Sequence, residues 1–209
     1  MIRLNRSVLV GGIGLLAGLA GCSRPAPTLS LYEAAAAGNV AEVRANLAAG
    51  VDPNQIASNG EPPLHFAAAS GNPRATDLLL QAGADINAPD VRYGCTALNA
   101  AAVKGDVATA QLLLESGISL KPVEGPYGYG PSALHDAATR GDLAMIRLLF
   151  SYGAPLDFVS VEPGDFVGAT RGTPLQFANR AGQTAAVTLL RQLAGTPRKA
   201  VRAIPPEGN

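Results

Sequence analysis

The chain has no tryptophan, two histidines and two cysteines in 209 residues, and only 15% of it is charged. Two cysteines build no disulfide framework, and no His/Cys spacing suits zinc. Lys plus Arg and Asp plus Glu each number 16, for a net charge of zero. Phosphate binding needs a clustered excess of Lys and Arg, so the balance argues against a nucleic-acid partner. A Gly-rich phosphate loop and a Gly-x-Ser-x-Gly elbow are also missing. With no constellation of acid, base and nucleophile in view, the sequence points away from an enzyme. It implies no cofactor, no metal and no small-molecule substrate. Aromatics are 5% of the chain and alanine is prominent, which suits small, closely packed helices.

What is present is a repeated frame. A Leu is followed by Ala three residues later and Gly seven residues later, then by a second apolar run. The leucines are Leu31, Leu64, Leu98, Leu134 and Leu175, and the glycines are Gly38, Gly71, Gly105, Gly141 and Gly182. Both series step by 33, 34, 36 and 41 residues. A period near 33 marks a stack of supersecondary units, each burying its apolar face only against its neighbours. The expected fold is therefore all-α, a solenoid of about five helix-turn-helix units.

Unit two carries the local logic. Pro62-Pro63-Leu64-His65-Phe66-Ala67-Ala68 predicts a helix with proline in its first turn, where a missing N–H costs nothing. Gly71 supplies a left-handed C-cap. Asn72-Pro73 opens a second helix through Leu78-Leu79-Leu80, stopped at Gly83. Ala84-Asp85-Ile86-Asn87 is a turn-forming link. Thr96-Ala97-Leu98-Asn99, Ser132-Ala133-Leu134-His135 and Thr173-Pro174-Leu175-Gln176 open the next three units. This pattern resembles the ankyrin repeat over residues 29–195, with units near 29–60, 61–94, 95–130, 131–171 and 172–195. Unit one lacks Thr-Pro and carries Asn46 where others have Leu79, Leu113 and Leu149. Unit five has Asn179 for its second Ala and its last glycine, Gly195, one residue late. Both are expected caps, since terminal repeats need a polar outer face.

The resemblance implies hairpin-like links that project as fingers, and a concave face that binds another protein. From one unit's last Gly to the next Leu there are 13, 14, 16 and 21 residues. The extra length falls in 123–130 and 158–171 and brings Tyr127, Tyr129 and Phe166. Insertions in repeat arrays map to loops on one face, often the binding face, although tolerant loops also drift in length. In the ankyrin pattern, the concave face takes the positions two, five and six residues after the motif Leu. These include Glu33, Phe66, Ser70, Lys104, Asp136, Arg140, Phe177 and Arg180. Phe66, Lys104, Asp136, Arg140, Phe177 and Arg180, with Tyr127, Tyr129 and Phe166, form the expected partner-binding set, because aromatics and Arg dominate interface energetics. The alternative is that Phe66 and Phe177 cover the stack while the charges solvate it. His65 and His135 stand at the motif histidine, which implies a structural role, and Cys95 reads as an incidental free thiol.

The N-terminus reads as an address. Arg3 and Arg6 precede an uncharged apolar run, Val8 to Ala20, shorter than the roughly 20 residues of a membrane-spanning helix. It ends in Leu19-Ala20-Gly21-Cys22, which resembles a bacterial lipobox. The resemblance implies a signal peptide over 1–21, an acylated Cys22 and a tether over 22–28. From Ser23 to Thr28 that tether reaches about 20 Å at full extension. Ser23, not Asp, after the cysteine implies sorting to the outer membrane of a Gram-negative cell, on its periplasmic face. Residues 196–209, with three prolines and Arg198, Lys199 and Arg202, read as a disordered tail. The expected protein is a monomeric, membrane-held binder of another protein. Two more specific versions are an immunity protein against a secreted toxic effector such as a lipase, and an accessory that protects a periplasmic redox enzyme.

Overall fold

The computed structural model describes residues 26–125, 128–161 and 171–195. Helices α1 (Leu31–Ala36), α3 (Pro63–Ser70), α5 (Ala97–Lys104), α7 (Ala133–Arg140) and α9 (Pro174–Arg180) stack side by side in one layer. Helices α2 (Val40–Ala48), α4 (Pro73–Gln81), α6 (Val107–Glu115), α8 (Leu143–Ser151) and α10 (Thr184–Ala194) form the second layer. Each odd-numbered helix also packs on the even-numbered one that follows it. The core is a continuous seam between the layers, built from the motif residues Leu31, Leu64, Leu98 and Leu134, their alanines, and Leu79, Leu113 and Leu149 of the second layer.

The helix ends follow from the sequence. Thr96, Ser132 and Thr173 each close a capping box with the residue three places on: Asn99, His135 and Gln176. Asn39, Asn72, Asp106 and Asp142 cap the second-layer helices through side-chain oxygens. Gly105 ends α5 at φ +79°, and a Cβ there would meet the Arg140 guanidinium of the next unit at 2.9 Å. Gly105→Ala should therefore cost about 1–2 kcal/mol, set mainly by the left-handed backbone, because the flexible Arg140 end can yield. Urea denaturation of the variant measures it. At the end of α10 the glycine frame fails. Ala194 stands where the other units have Gly, so the helix runs on for 11 residues and Gly195 caps it at φ −85°.

Three rungs start from the residue after the motif Leu, and the last two join one unit to the next. His65 Nε2 bonds the Ala88 carbonyl at 2.8 Å, Asn99 Nδ2 the Pro131 carbonyl at 2.7 Å, and His135 Nε2 the Gly172 carbonyl at 3.0 Å. Ser132 N–H donates to His135 Nδ1 at 3.2 Å, which leaves the proton on Nε2 of a neutral ring. A second series ties the links: Asn54 Oδ1 accepts from Asp85 N–H at 2.7 Å, and Asn87 Oδ1 from Ser119 N–H at 2.8 Å. The histidines are structural, as their motif position implied.

The two long links form the expected hairpins. Strands β1 (Glu124–Gly125) and β2 (Gly128–Tyr129) pair antiparallel, with Glu124 opposite Tyr129. Strands β3 (Ser160–Val161) and β4 (Arg171–Gly172) pair with Ser160 opposite Gly172, and β3 lies beside β2.

Two expectations about the N-terminal cap are corrected. Asn46 does not face solvent. It is buried, and its Nδ2 donates to the Leu29 and Glu42 carbonyls, both at 2.9 Å. Thr28 does not belong to a free tether either. Its N–H and hydroxyl both donate to the Glu42 carboxylate at 2.9 Å. The cap is closed by the chain segment that precedes α1, and Asn46 is polar because it holds that segment.

Candidate interaction surface

An open groove of about 450 Å³ runs across units two to four. Its walls come from α3 (His65, Ala69), α5 (Asn99, Ala100, Val103, Lys104) and α7 (Asp136), and from the links at Glu61, Asp90, Cys95 and Pro131. The first-layer helices thus do present a concavity, at the roots of the fingers. Val103 stands in it 55% exposed, an apolar side chain with no cover. Ile56, Val91 and Val159 are likewise exposed on three of the links.

Asp136 is the most perturbed acid near this groove. Desolvation by its surroundings pushes the carboxyl up to about 7, against a 2.8 Å hydrogen bond from Asn99 Nδ2 that favours the charged form. Asn99 is well placed to hold it, because its oxygen is engaged by Thr96 N–H and its other N–H by Pro131. Asp90 shapes the adjacent link by accepting from Arg92, Tyr93 and Cys95 N–H. Burial raises the Cys95 thiol far above its ordinary value, with Asp136 and Asp90 adding to the effect, so no reactive thiolate forms at neutral pH. Among the described residues no group of His, Cys, Asp and Glu could hold a metal ion.

The expected binding set divides. Lys104 and Asp136 line the groove. Arg140 is exposed and lies over Gly105 of the preceding unit. Phe66 is half-buried, its ring 6.3 Å from Tyr32. Phe177 is corrected outright: it is only 5% exposed and packs edge-on against His135 at 4.8 Å. It covers the stack and is no free hot spot. Arg180 is displaced from the groove as well. Its guanidinium lies 4.7 Å over the Phe177 ring, and it lines a separate concavity with Arg171 and Arg191. Glu33 is spent in the Ser30 capping box, and Ser70 Oγ donates to the Ala67 carbonyl at 2.7 Å. Cys22, Tyr127 and Phe166 lie outside the described residues, as does the side chain of Tyr129. Sequence reasoning missed Val103, Asn99, Arg171 and Arg191. Val103 could have been found, since it sits five residues after Leu98.

Paired helices stacked on their neighbours, with fingers along one edge and a groove at their roots, define a solenoid repeat protein that presents a surface. The family model "Ankyrin repeats (3 copies)" matches residues 31–124, and the single "Ankyrin repeat" matches residues 129–160. The chain belongs to the ankyrin-repeat family. The fifth unit, α9 with α10, completes the stack beyond those matches. The chain is also 42% identical over 65 residues to alpha-latrotoxin-Lg1a of Latrodectus geometricus, covering 31% of this chain and 5% of the toxin. It is 41% identical over 70 residues to alpha-latrotoxin-Lt1a of Latrodectus tredecimguttatus, covering 34% of this chain and 5% of that toxin. The chain thus spans about 5% of the length of the curated relatives it matches. Among the described residues no helix is long and apolar enough to cross a membrane.

Proposed function

We propose that this chain is a non-enzymatic protein-binding module that takes a partner protein into the groove at the finger roots. The observation that carries this reading is the groove itself, built by three consecutive units around the uncovered Val103. Its chemistry favours binding over catalysis. His65 is committed to the Ala88 carbonyl, and Cys95 stays a protonated thiol. A nucleophile would need a base beside it. We further propose that Leu19-Ala20-Gly21-Cys22 is a processing site, and that acylated Cys22 holds the module on the periplasmic face of the outer membrane. Several acyl chains on one cysteine meet the requirement for stable anchoring.

The test is crosslinking capture from the native envelope. Val103→Glu places a charge in the uncovered centre of the groove and should lose the captured partner while the circular dichroism spectrum stays unchanged. Gln111→Ala, an exposed change on the second helix layer, should capture as well as wild type. Equal capture by Val103→Glu removes the groove from the interface. Cys22→Ala should move the protein out of the membrane fraction, and intact-mass analysis of the wild type should find acyl mass on the chain.

A further inference from the structure

We propose that the groove at the finger roots selects a basic segment of its partner protein. Arg or Lys heads meet Glu61, Asp90 and Asp136, and their apolar stems lie along Val103. This rests on the reading of that groove as the interface and adds its chemical preference. Along the described lining, three carboxylates face one cation, Lys104. The three converge on one place, since each acts electrostatically on the Cys95 thiol in the groove wall. Glu61 and Asp90 act on His65 as well. Lys104 is at the other end. It is the last residue of α5, about 10 Å along the helix from its start. Its stem lies over the preceding unit, where a Cβ at Gly71 would meet Lys104 Cε at 3.3 Å.

Among the described residues, none of the three carboxylates makes an ion pair. Asp136 is the most exacting of them. Its surroundings desolvate it, and the one group that offsets this is Asn99 Nδ2, 2.8 Å from Oδ2. Its Oδ1 accepts no hydrogen bond among the described residues. A desolvated carboxylate without a counter-charge is unfavourable, and a partner's cation relieves it. The parts of the two long links outside the described residues, 126–127 and 162–170, hold Glu162 and Asp165 and no Lys, Arg or His. They supply no counter-charge. The rest of the lining says what carries the cation. Ala69, Ala100, Val103 and Pro131 make an apolar wall beside the carboxylates. Arg and Lys lay their methylene stems along such a surface and keep their heads on polar groups. A metal ion does not fit, because among the described residues no group of His, Cys, Asp and Glu could hold one. An anionic lipid surface would be repelled. A basic peptide uses both the wall and the carboxylates.

The experiment is fluorescence anisotropy on the full chain in a neutral detergent, with labelled hexaarginine as probe and hexaglutamate as comparison. It is run at pH 8, where the Asp136 carboxyl is ionised. Hexaarginine should bind saturably and hexaglutamate should not. Glu61→Gln with Asp136→Asn should weaken hexaarginine at least about tenfold, as loss of charges paired across an interface does. Asn at 136 can still accept from Asn99, so the groove keeps its shape. Lys104→Gln should strengthen binding roughly twofold to fivefold, the effect of one exposed charge. Such a gain cannot come from misfolding. Arg198→Gln, Lys199→Gln and Arg202→Gln together should change nothing, and a tenfold gain there would assign the groove to the chain's own tail and overturn the proposal. No binding of hexaarginine, equal binding of hexaglutamate, or equal binding by the double variant would overturn it too. Envelope capture separates this proposal from the reading beneath it. Val103→Glu should still lose the partner, because its carboxylate would be buried against apolar stems. Loss by Val103→Glu with full capture by the double variant would leave the interface standing and overturn only the basic preference.

Discussion

Leu113→Ala should lower the stability of the stack by about 2–5 kcal/mol, the range for truncating a buried leucine in a core that collapses only partly. Leu113 is fully buried in α6, which has a second-layer helix on each side, α4 and α8, and α5 beneath. Its removal opens a cavity that two flanking units share. Leu190 holds the same place in α10, where α8 is a neighbour on one side and, among the described residues, no helix stacks on the other. Leu190→Ala should cost about half as much, since fewer surrounding atoms lose contact. The N-terminal unit already has Asn46 there, satisfied by two backbone carbonyls. Guanidinium chloride denaturation of both variants decides this, and equal losses would contradict a nearest-neighbour stack.

The second large effect is in pH. Burial holds the His135 imidazole down to about 4, and Arg180 adds to this against hydrogen bonds to the backbone of Gly172 and Phe158. Its unfolded value is near 6.5. The folded state therefore binds fewer protons than the unfolded chain between those values. The stability from the neutral ring is complete above about pH 6.5 and is lost as pH falls toward 4, about 3 kcal/mol in all. His65 is depressed by burial in the same direction. Asp136 runs the other way. Its carboxyl is raised to about 7 by desolvation, so its stabilising protonated form is complete below about pH 4 and is lost as pH rises through 7. The two neighbours offset each other between pH 4.5 and 6.5, so wild-type stability should climb only weakly there, through His65. Asp136→Asn removes one side of that balance. Its stability should climb steadily with pH across this window. The climb should shrink by at least about half when His135→Gln is added, a residue that Gln176 shows to be compatible with the position. A flat profile for Asp136→Asn would show that His135 is not held neutral.

The helical stack was legible because its information is local and repeated. A motif Leu, an alanine small enough for close layers and a left-handed Gly recur five times in phase, with a capping box at four of the five first-layer helices. Each acts within a few residues of chain. The hairpins were implied by the ankyrin resemblance, with link length marking the two long ones, and the histidine rungs by their place in the motif. The candidate site was legible only in part. Lys104 and Asp136 do line the groove at the finger roots, but Phe177 is buried and Arg180 lines a separate concavity, although both follow the same positional rule.

By itself, then, the sequence determined the class of fold, the number of units and the ends of most helices, because backbone propensity and period are properties of short segments. Tertiary structure decided which of those positions are free to act. Phe177 is covered by His135, 42 residues earlier in the chain, and Asn46 by Leu29, 17 residues away. The raised Asp136 carboxyl depends on solvent excluded by neighbouring units and on Asn99, 37 residues upstream. Exposure and desolvation are set by what packs opposite a residue. In a solenoid that neighbour lies from half a repeat to a full repeat away, beyond the reach of any local pattern.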